Sequence, residues 1–371
     1  MNADYSEDKL VQENAADILE DLGWKSYYAF DSEILSEDEN LTLGEQSDGR
    51  VYLGRSSQKQ IILIPYIKKA LRRFNPGISE NEINKAVSVL QDYSLNNDLA
   101  MIVQQNKTFY PFIKDGIPVE TNDENGNNVT RTFKIINFNE KSDSTENEKN
   151  DFVAVRELWM ESPIGKPRMR ADIIGFVNGL PLLFTELKRL DVDVRNAYND
   201  NYKRSLECDP HLFYYNAMVI LSNGLEAKIG TVGSKYKFFS EWNRKTEDDE
   251  VDENEPKMHI MLEAVCNKQT FLDLVENFII YDNSSGKIAK ILARNHQYLG
   301  VNQAFEKYKS REVLEGKIGV FWHTQGSGKS YSMLFLSEKI HRKIGGNPTI
   351  VIITDRSELN KQISGTFEAA G

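Results

Sequence analysis

The chain has 371 residues, of which 40% are apolar and 27% are charged. This length predicts two or three domains, and this composition excludes a disordered, collagenous or coiled-coil protein. The formal net charge is -11. Residues 1–50 hold 14 acids and 3 bases, which account for all of it, so the rest of the chain is neutral and DNA is not excluded as a partner.

The chain shows no targeting or membrane signal. Its first ten residues are acidic and lack the basic and apolar regions of a secretory signal, and no apolar run approaches the roughly 20 residues of a membrane span. The two cysteines, Cys208 and Cys266, are too few for a disulfide framework or a cysteine-based zinc site. These features predict a cytoplasmic protein.

The first half of the chain alternates helical and strand patterns. The spacing of apolar residues predicts a helix over residues 10–22, ended by Gly23, and another over residues 61–74. The second helix carries four basic residues between Lys68 and Arg73, typical of a solvated face and compatible with a DNA channel. Residues 130–190 have β-type patterning, and residues 194–206 return to a helical pattern.

An acidic stretch, residues 247–256, separates two segments of different character and places a domain boundary near residue 258. Beyond it, the pattern predicts a helix over residues 261–280. A short strand is then expected at 319–322, a helix at 329–343 and an apolar strand at 349–354.

Glu186-Leu187-Lys188 is the Glu-x-Lys triplet of this chain that ends a strongly apolar strand. Asp172 begins the preceding apolar run, and Asn178-Gly179 between the runs is a hairpin signal. A strict two-residue turn would place Asp172 opposite Thr185, so a longer loop or a bulge is predicted, which sets Asp172 opposite Glu186. Two carboxylates and an ammonium can hold Mg²⁺ against a phosphodiester. The spacing alone also fits a simple ion pair at a hairpin end.

The string from Arg170 to Lys188, with its Arg-Ala-Asp, Gly-Phe-Val-Asn-Gly-Leu-Pro-Leu and Glu-Leu-Lys blocks, resembles the PD-(D/E)xK nuclease core of type I restriction enzyme R subunits. The resemblance extends over most of residues 60–371. It implies that Asp172 and Glu186 are metal ligands and that Lys188 is the catalytic lysine.

Two further positions are compared with this family. Its nucleases often add a glutamate from the N-terminal helix, for which Glu13 is the candidate, although a surface glutamate on an acidic helix is an equal interpretation. The family also carries Gln-x-x-x-Tyr after the lysine, where this chain has Asp200 and Arg204. Their i, i+4 spacing allows a local ion pair, and this departure leaves open whether the nuclease is weakened.

A second motif, residues 319–330, leads a predicted strand through a glycine-containing turn into a helix, as a phosphate-binding loop requires. Glycines let backbone N–H groups approach the phosphates, Lys329 reaches the β and γ phosphates, and Ser330 ligates Mg²⁺ of bound ATP. The strict pattern has glycine where this chain has His323. The nucleotide-binding candidates are Thr324, Gly326, Ser327, Gly328, Lys329 and Ser330.

This second motif resembles the first motif of superfamily 2 helicases in R subunits. By the same resemblance, Gln297 reads the adenine edge, with a solvent-exposed glutamine as the plainer interpretation, and residues 354–359 match a DNA-backbone and coupling element. No Walker B box follows before Gly371, so an N-terminal fragment with negligible ATP hydrolysis of its own is expected.

The predicted fold class is α/β. Residues 1–258 are expected to form a PD-(D/E)xK domain with a mixed central sheet flanked by helices, and residues 259–371 the start of a RecA-like P-loop lobe. The resemblance implies a type I restriction enzyme subunit that cuts double-stranded DNA with Mg²⁺ and translocates it with ATP, alongside methyltransferase and specificity subunits. The alternatives are a noncatalytic DNA-binding module with a decayed nuclease site and vestigial nucleotide lobe, and an unrelated P-loop ATPase.

Overall fold

The computed structural model describes residues 7–38, 41–123, 126–250 and 255–370. The α-helices of these residues are α1 (Glu7–Asp21), α2 (Ile64–Phe74), α3 (Glu80–Gln91), α4 (Leu99–Lys114), α5 (Val194–Asn196), α6 (Lys203–Cys208), α7 (Lys257–Val265), α8 (Lys268–Asn277), α9 (Asn295–Lys309), α10 (Lys329–Lys343) and α11 (Ser357–Ala370). A π-helical segment, Ala197–Tyr202, joins α5 to α6. Short 3₁₀ helices span Pro210–Tyr214 and Tyr236–Phe238.

The β-strands of the described residues are β1 (Lys25–Tyr28), β2 (Glu33–Ile34), β3 (Gly44–Glu45), β4 (Val51–Tyr52), β5 (Ile117–Asn122), β6 (Asn128–Phe133), β7 (Phe152–Met160), β8 (Met169–Val177), β9 (Leu180–Leu187), β10 (Met218–Ser222), β11 (Ala227–Gly230), β12 (Ile279–Asp282) and β13 (Ala289–Leu292). Six of them form the central sheet in the order β1-β7-β8-β9-β10-β11. The pairs β1–β7 and β9–β10 are parallel, and the others are antiparallel. The molecule is therefore a mixed α/β fold built on a mixed sheet, as predicted.

The central sheet is buried along β8 and β9, whose residues read as nearly continuous apolar runs. Helix α1 packs on β1, β7 and β9, and α7 packs on α1 and β11. The indole Nε1 of Trp24, after α1, donates a 2.8 Å hydrogen bond to the Cys266 carbonyl after α7. The segment that follows the acidic stretch therefore packs on the core of the central sheet, while the boundary near residue 258 stays a prediction.

The β8–β9 hairpin contains the predicted bulge. Val177 pairs with Leu180 across the two-residue turn, but the register shifts between Gly175 and Phe176, and from there Ile173 pairs with Thr185. Leu182 is the extra residue. The shift sets Asp172 across from Glu186, which a strict two-residue hairpin would not do.

Helices agree with the sequence more closely than strands do. Helix α10 has the predicted bounds, and α1 and α2 lie within three residues of theirs. The single helix expected over residues 261–280 is wrong: the chain forms α7 and α8, separated by the Asn267 cap, and then enters β12. Asn267 accepts hydrogen bonds from the backbone N–H groups of Gln269 and Thr270 and so begins a new helix.

The strands predicted at residues 319–322 and 349–354 are wrong. Both segments are irregular, and several of their apolar side chains are exposed to solvent, with Val320 94% and Ile353 90% exposed. A strand needs a hydrogen-bonded neighbour, and among the described residues neither segment pairs with one. Apolar β-branched residues alone do not produce a strand here.

Candidate nuclease centre and phosphate-binding loop

Asp172 and Glu186 lie on adjacent antiparallel strands and are both buried, at 9% and 1% exposure. The two carboxyl groups lie close enough for each to shift the pKa of the other. Asp172 also accepts a 2.7 Å bond from the Leu187 backbone N–H. The bulge and the burial of β8 and β9 bring these two groups together, as the hairpin register predicts.

Burial sets the protonation behaviour of the two carboxyl groups. Burial raises the pKa of Asp172 to about 6, because desolvation outweighs the hydrogen bond from Leu187. The pKa of Glu186 is also raised well above its ordinary value, first by burial and then by the neighbouring Asp172 charge. Without a cation, the two carboxyl groups therefore titrate as a coupled pair and hold a proton more tightly than exposed carboxyl groups do.

Lys188 follows β9 directly and is half-buried. Its backbone N–H donates to the Ser222 carbonyl of β10 at 2.8 Å, which fixes the chain at this point. Its Nζ donates to Oδ1 of Asn201 at 2.6 Å. Asn201 also lies near the Glu186 carboxyl and lowers its pKa slightly, so one amide holds the lysine and lies beside the glutamate.

The π-helical segment explains why Asn201 reaches the site. A π-helical turn holds one more residue than an α-helical turn and changes the direction of the side chains that follow. Asp200 and Arg204, the positions compared with the family's Gln-x-x-x-Tyr, are both exposed, while Asn201 makes the contacts. Neither the apolar periodicity nor the family motif indicates this extra residue, so the sequence did not identify Asn201 as a site residue.

Helix α1 contributes Gln12, one position before the candidate Glu13. The Gln12 amide Nε2 donates a 3.0 Å hydrogen bond to Oδ1 of Asp172, and Gln12 is buried. Glu13 is half-buried, and among the hydrogen bonds found between described residues none joins it to Asp172 or Glu186. The role proposed for Glu13 stays a prediction, whereas Gln12 is the α1 residue in contact with the pair.

Glu157 is a further acid beside the pair that the sequence did not single out. The neighbouring pairs, Arg156 with Ile173 and Leu158 with Ala171, place Glu157 across from Asp172, and its charge contributes to raising the pKa of that residue. Glu157 has a φ of 56°, in the left-handed region that is uncommon for such a residue. Its Oε2 lies 2.6 Å from Nε of Arg170.

The donor set fits a hard divalent cation held by few protein ligands. Within the described ranges no group of three or more His, Cys, Asp and Glu residues has a metal-binding arrangement. Mg²⁺ commonly uses one or two carboxylates and keeps several waters. Oε1 of Glu186 is buried and, among the described residues, has no hydrogen-bond partner. An oxygen in this state is costly unless a cation or water completes it.

The predicted phosphate loop leads into α10, as expected. Gly326 and Gly328 have φ values of 81° and 86°, which side-chain-bearing residues rarely adopt. Lys329 Nζ donates to the carbonyls of His323 and Thr324, at 2.7 and 2.9 Å. The lysine thus lies folded against its own loop.

A cavity of about 680 Å³ opens beside this loop. Its lining includes Gly326, Gly328, Lys329 and Ser330, together with apolar residues of α9 and α10 such as Val301 and Met333. Thr324 is exposed, and Oγ of Ser327 is buried without a partner among the described residues. The cavity is large enough for a cofactor-sized ligand.

Residues of α9 hydrogen-bond to the backbone of the phosphate loop. Gln297 Nε2 donates to the Gly328 carbonyl at 2.9 Å, and its Oε1 accepts from the Arg294 backbone N–H at 2.9 Å. His296 contacts the Ser327 carbonyl at 3.0 Å. Both ends of the Gln297 amide are therefore engaged within the protein, so the predicted adenine contact would require these bonds to be exchanged.

Known protein families match both the region of the nuclease centre and the region of the phosphate loop. Residues 4–238 match the family "Type I restriction enzyme R protein N terminus", and residues 296–371 match the SWI2/SNF2 ATPase family. The chain is 32% identical over 95% of its length to the HindI endonuclease subunit of Haemophilus influenzae. It is 28% identical over 99% of its length to the MjaIXP endonuclease subunit, assigned provisionally, of Methanocaldococcus jannaschii. It covers 32% and 34% of these relatives, so it spans about a third of their length. No helix among the described residues is long and apolar enough to cross a membrane.

Proposed function

The chain belongs to the type I restriction enzyme R protein family, and from this premise we propose that it carries a PD-(D/E)xK nuclease centre that cuts double-stranded DNA with Mg²⁺. The observation that carries the proposal is the buried Asp172–Glu186 pair with Lys188 held beside it by Asn201. The nucleotide loop belongs to an ATP-binding lobe, which in a longer protein would drive DNA translocation. The partners implied are the methyltransferase and specificity subunits of one restriction system.

The residues of the centre have distinct roles in this proposal. Asp172, held by Gln12 and by the Leu187 N–H, and Glu186 would hold the metal ion between them. The ion, when bound, polarises the scissile phosphate and lowers the pKa of its water. The Lys188 ammonium, oriented by Asn201, stabilises the charge that develops on the phosphate oxygens.

A noncatalytic DNA-binding module with a decayed site is the second candidate, favoured by Asp200 and Arg204 in place of the family's Gln and Tyr. The contacts of Asn201 weaken that reading. The Asn201 amide oxygen accepts a hydrogen bond from Lys188. In a decayed site, we would expect no such bond to hold the lysine.

Cleavage of supercoiled plasmid in Mg²⁺ by the purified chain tests the proposal. We expect Asp172→Ala and Lys188→Ala to lower the cleavage rate by at least about 10³-fold. Asn201→Ala should cost about tenfold, since it misplaces the lysine without removing it. Glu207→Ala, which removes an exposed carboxylate of α6, is the matched control and should cleave normally. Equal cleavage by Asp172→Ala would overturn the assignment, and plasmid binding without cleavage by the unmodified chain would favour the noncatalytic module.

A further inference from the structure

A basic groove is defined by Arg195, Lys228, Lys235, Lys237 and the rings of Tyr236 and Phe239. Its lining also includes Asn199, from the π-helical segment that carries Asn201. The cavity at its floor measures about 510 Å³. Within the described part of the chain, its lining residues include four cations and no carboxylate. A concave surface of one charge attracts ligands of the opposite charge.

Aromatic rings hold the cations of the basic groove in place. The guanidinium of Arg195 lies 5.0 Å from the centre of the Tyr236 ring, and Nζ of Lys237 lies 5.0 Å from that of Phe238. Phe238 is 55% exposed. Stacking of this kind leaves N–H groups free for a ligand and reduces the entropy lost on binding.

Most of these cations form no salt bridge with another described residue. Lys228 pairs with Glu241 at 3.2 Å, but no salt bridge within the described ranges involves Arg195, Lys235 or Lys237. The basic residues of α2 differ. Lys69 and Arg73 contact Asp151 at 3.0 and 3.1 Å, so their charges are already compensated.

The basic groove adjoins structural elements of both candidate sites. Arg195 belongs to the helical segment that also carries Asn201, the partner of Lys188. On the other side, Lys228, Lys237 and Phe239 also line a second cavity of about 570 Å³. That cavity includes the cations Arg244 and Arg294 together with the carboxylates Glu241 and Glu247. It also includes His296, which contacts the phosphate loop at Ser327.

We propose that the basic groove binds the phosphate backbone of a DNA duplex and leads it from the nucleotide-binding lobe to the nuclease centre. The proposal rests on the proposed function, because it names the surface by which that centre receives its substrate. Stacked arginine and lysine groups contact phosphates without reading sequence. The exposed ring of Phe238, next to the groove, adds apolar contact with the sugars.

The salt dependence of DNA binding tests this surface. A fluorescent 30-base-pair duplex is titrated with the full chain in EDTA, so that no cleavage occurs, and the affinity is followed by anisotropy at several salt concentrations. The triple variant Arg195→Ala, Lys235→Ala, Lys237→Ala is compared with Arg50→Ala, Lys59→Ala, Lys149→Ala. The control removes the same charge from cations already paired with Asp48, Glu161 and Glu146.

We expect the groove variant to bind at least about tenfold more weakly and to lower the salt slope by about 2 to 3, since each phosphate contact contributes about 0.9. The control variant should change affinity less than about twofold. The charge-preserving variant Arg195→Lys, Lys235→Arg, Lys237→Arg should retain most of the affinity. An unchanged slope in the groove variant would overturn the proposal, as would equal losses in the groove and control variants.

Mn²⁺ binding, measured by calorimetry on the same proteins, separates this inference from the proposed function. If Mn²⁺ binds and is lost in Asp172→Ala while the groove variant binds DNA normally, the groove proposal fails and the nuclease centre stands. If the unmodified chain binds neither Mn²⁺ nor DNA, both proposals fail. Displacement of the duplex by polyglutamate at equal charge would also overturn the groove proposal, in favour of an acidic protein partner.

Discussion

The nuclease centre and the phosphate loop differ in how far their surrounding strands are paired and buried among the described residues. Glu186 sits on a strand with paired neighbours on both sides, β8 and β10, and its surroundings are fully buried. The loop leads into a formed helix, but the segment before it pairs with no strand among the described residues, and its Trp322 is 78% exposed. A short motif can therefore set the backbone conformation of its own residues, whereas a strand forms only where a neighbouring strand pairs with it.

The largest expected contrast compares equivalent isoleucines in the two regions. Ile220→Ala in β10, a fully buried position, should lower the free energy of unfolding by about 2–5 kcal/mol, because it leaves a cavity in a packed core. Ile353→Ala, at a position 90% exposed, should change it by less than about 0.5 kcal/mol. Urea unfolding measures both. A large loss in Ile353→Ala would show that the open segment is packed in solution.

Nucleotide affinity tests whether the phosphate loop binds ATP through Lys329. Lys329→Ala should weaken binding of a fluorescent ATP analogue by about 10- to 100-fold, since hydrogen bonds to charged groups contribute about 1.5–3 kcal/mol. His341→Ala, which removes an exposed side chain from the same helix, is the control. Wild-type affinity in Lys329→Ala would mean that the lysine stays folded against its own loop when nucleotide binds.

The smallest expected effect concerns a buried acid of the central domain, Asp209, whose carboxylate oxygens have no hydrogen-bond partner among the described residues. Burial raises its pKa from the ordinary 3.8 to about 7. A raised carboxyl pKa makes the folded state bind a proton more tightly than the unfolded state, so stability falls as pH rises from about 4 to 7. Asp209→Asn should therefore gain stability at pH 8, where Asp209 would be charged, and nothing at pH 4, where it is protonated. Thermal unfolding at the two pH values checks this, and an equal gain at both would contradict it.

The sequence predicted the parts of the site that depend on local pattern. The turn signal at Asn178-Gly179 and the need to place Asp172 and Glu186 on one face together required a bulge, which the hairpin contains. Helix α10 begins and ends where its apolar spacing predicts. These features follow from residues close together in the chain.

The rest depends on contacts that the pattern does not encode. The π-helical segment brings Asn201 to Lys188 through one extra residue per turn. The periodicity of α1 does not distinguish adjacent positions finely enough to choose Gln12 over Glu13. The strands expected near the phosphate loop have suitable residues but no paired neighbour among those described, so apolar composition misled the prediction there.

Anomalous diffraction from a Mn²⁺-soaked crystal tests the central claim most directly. We expect a peak between the carboxyl groups of Asp172 and Glu186 at pH 8, where the cation can displace the remaining protons from the two carboxyl groups into solvent. The peak should disappear in Asp172→Ala and remain in Glu13→Ala, since Gln12 is the α1 residue that contacts Asp172. A crystal without a peak at this position, with DNA bound and both carboxyl groups ordered, would contradict the assignment of a nuclease centre.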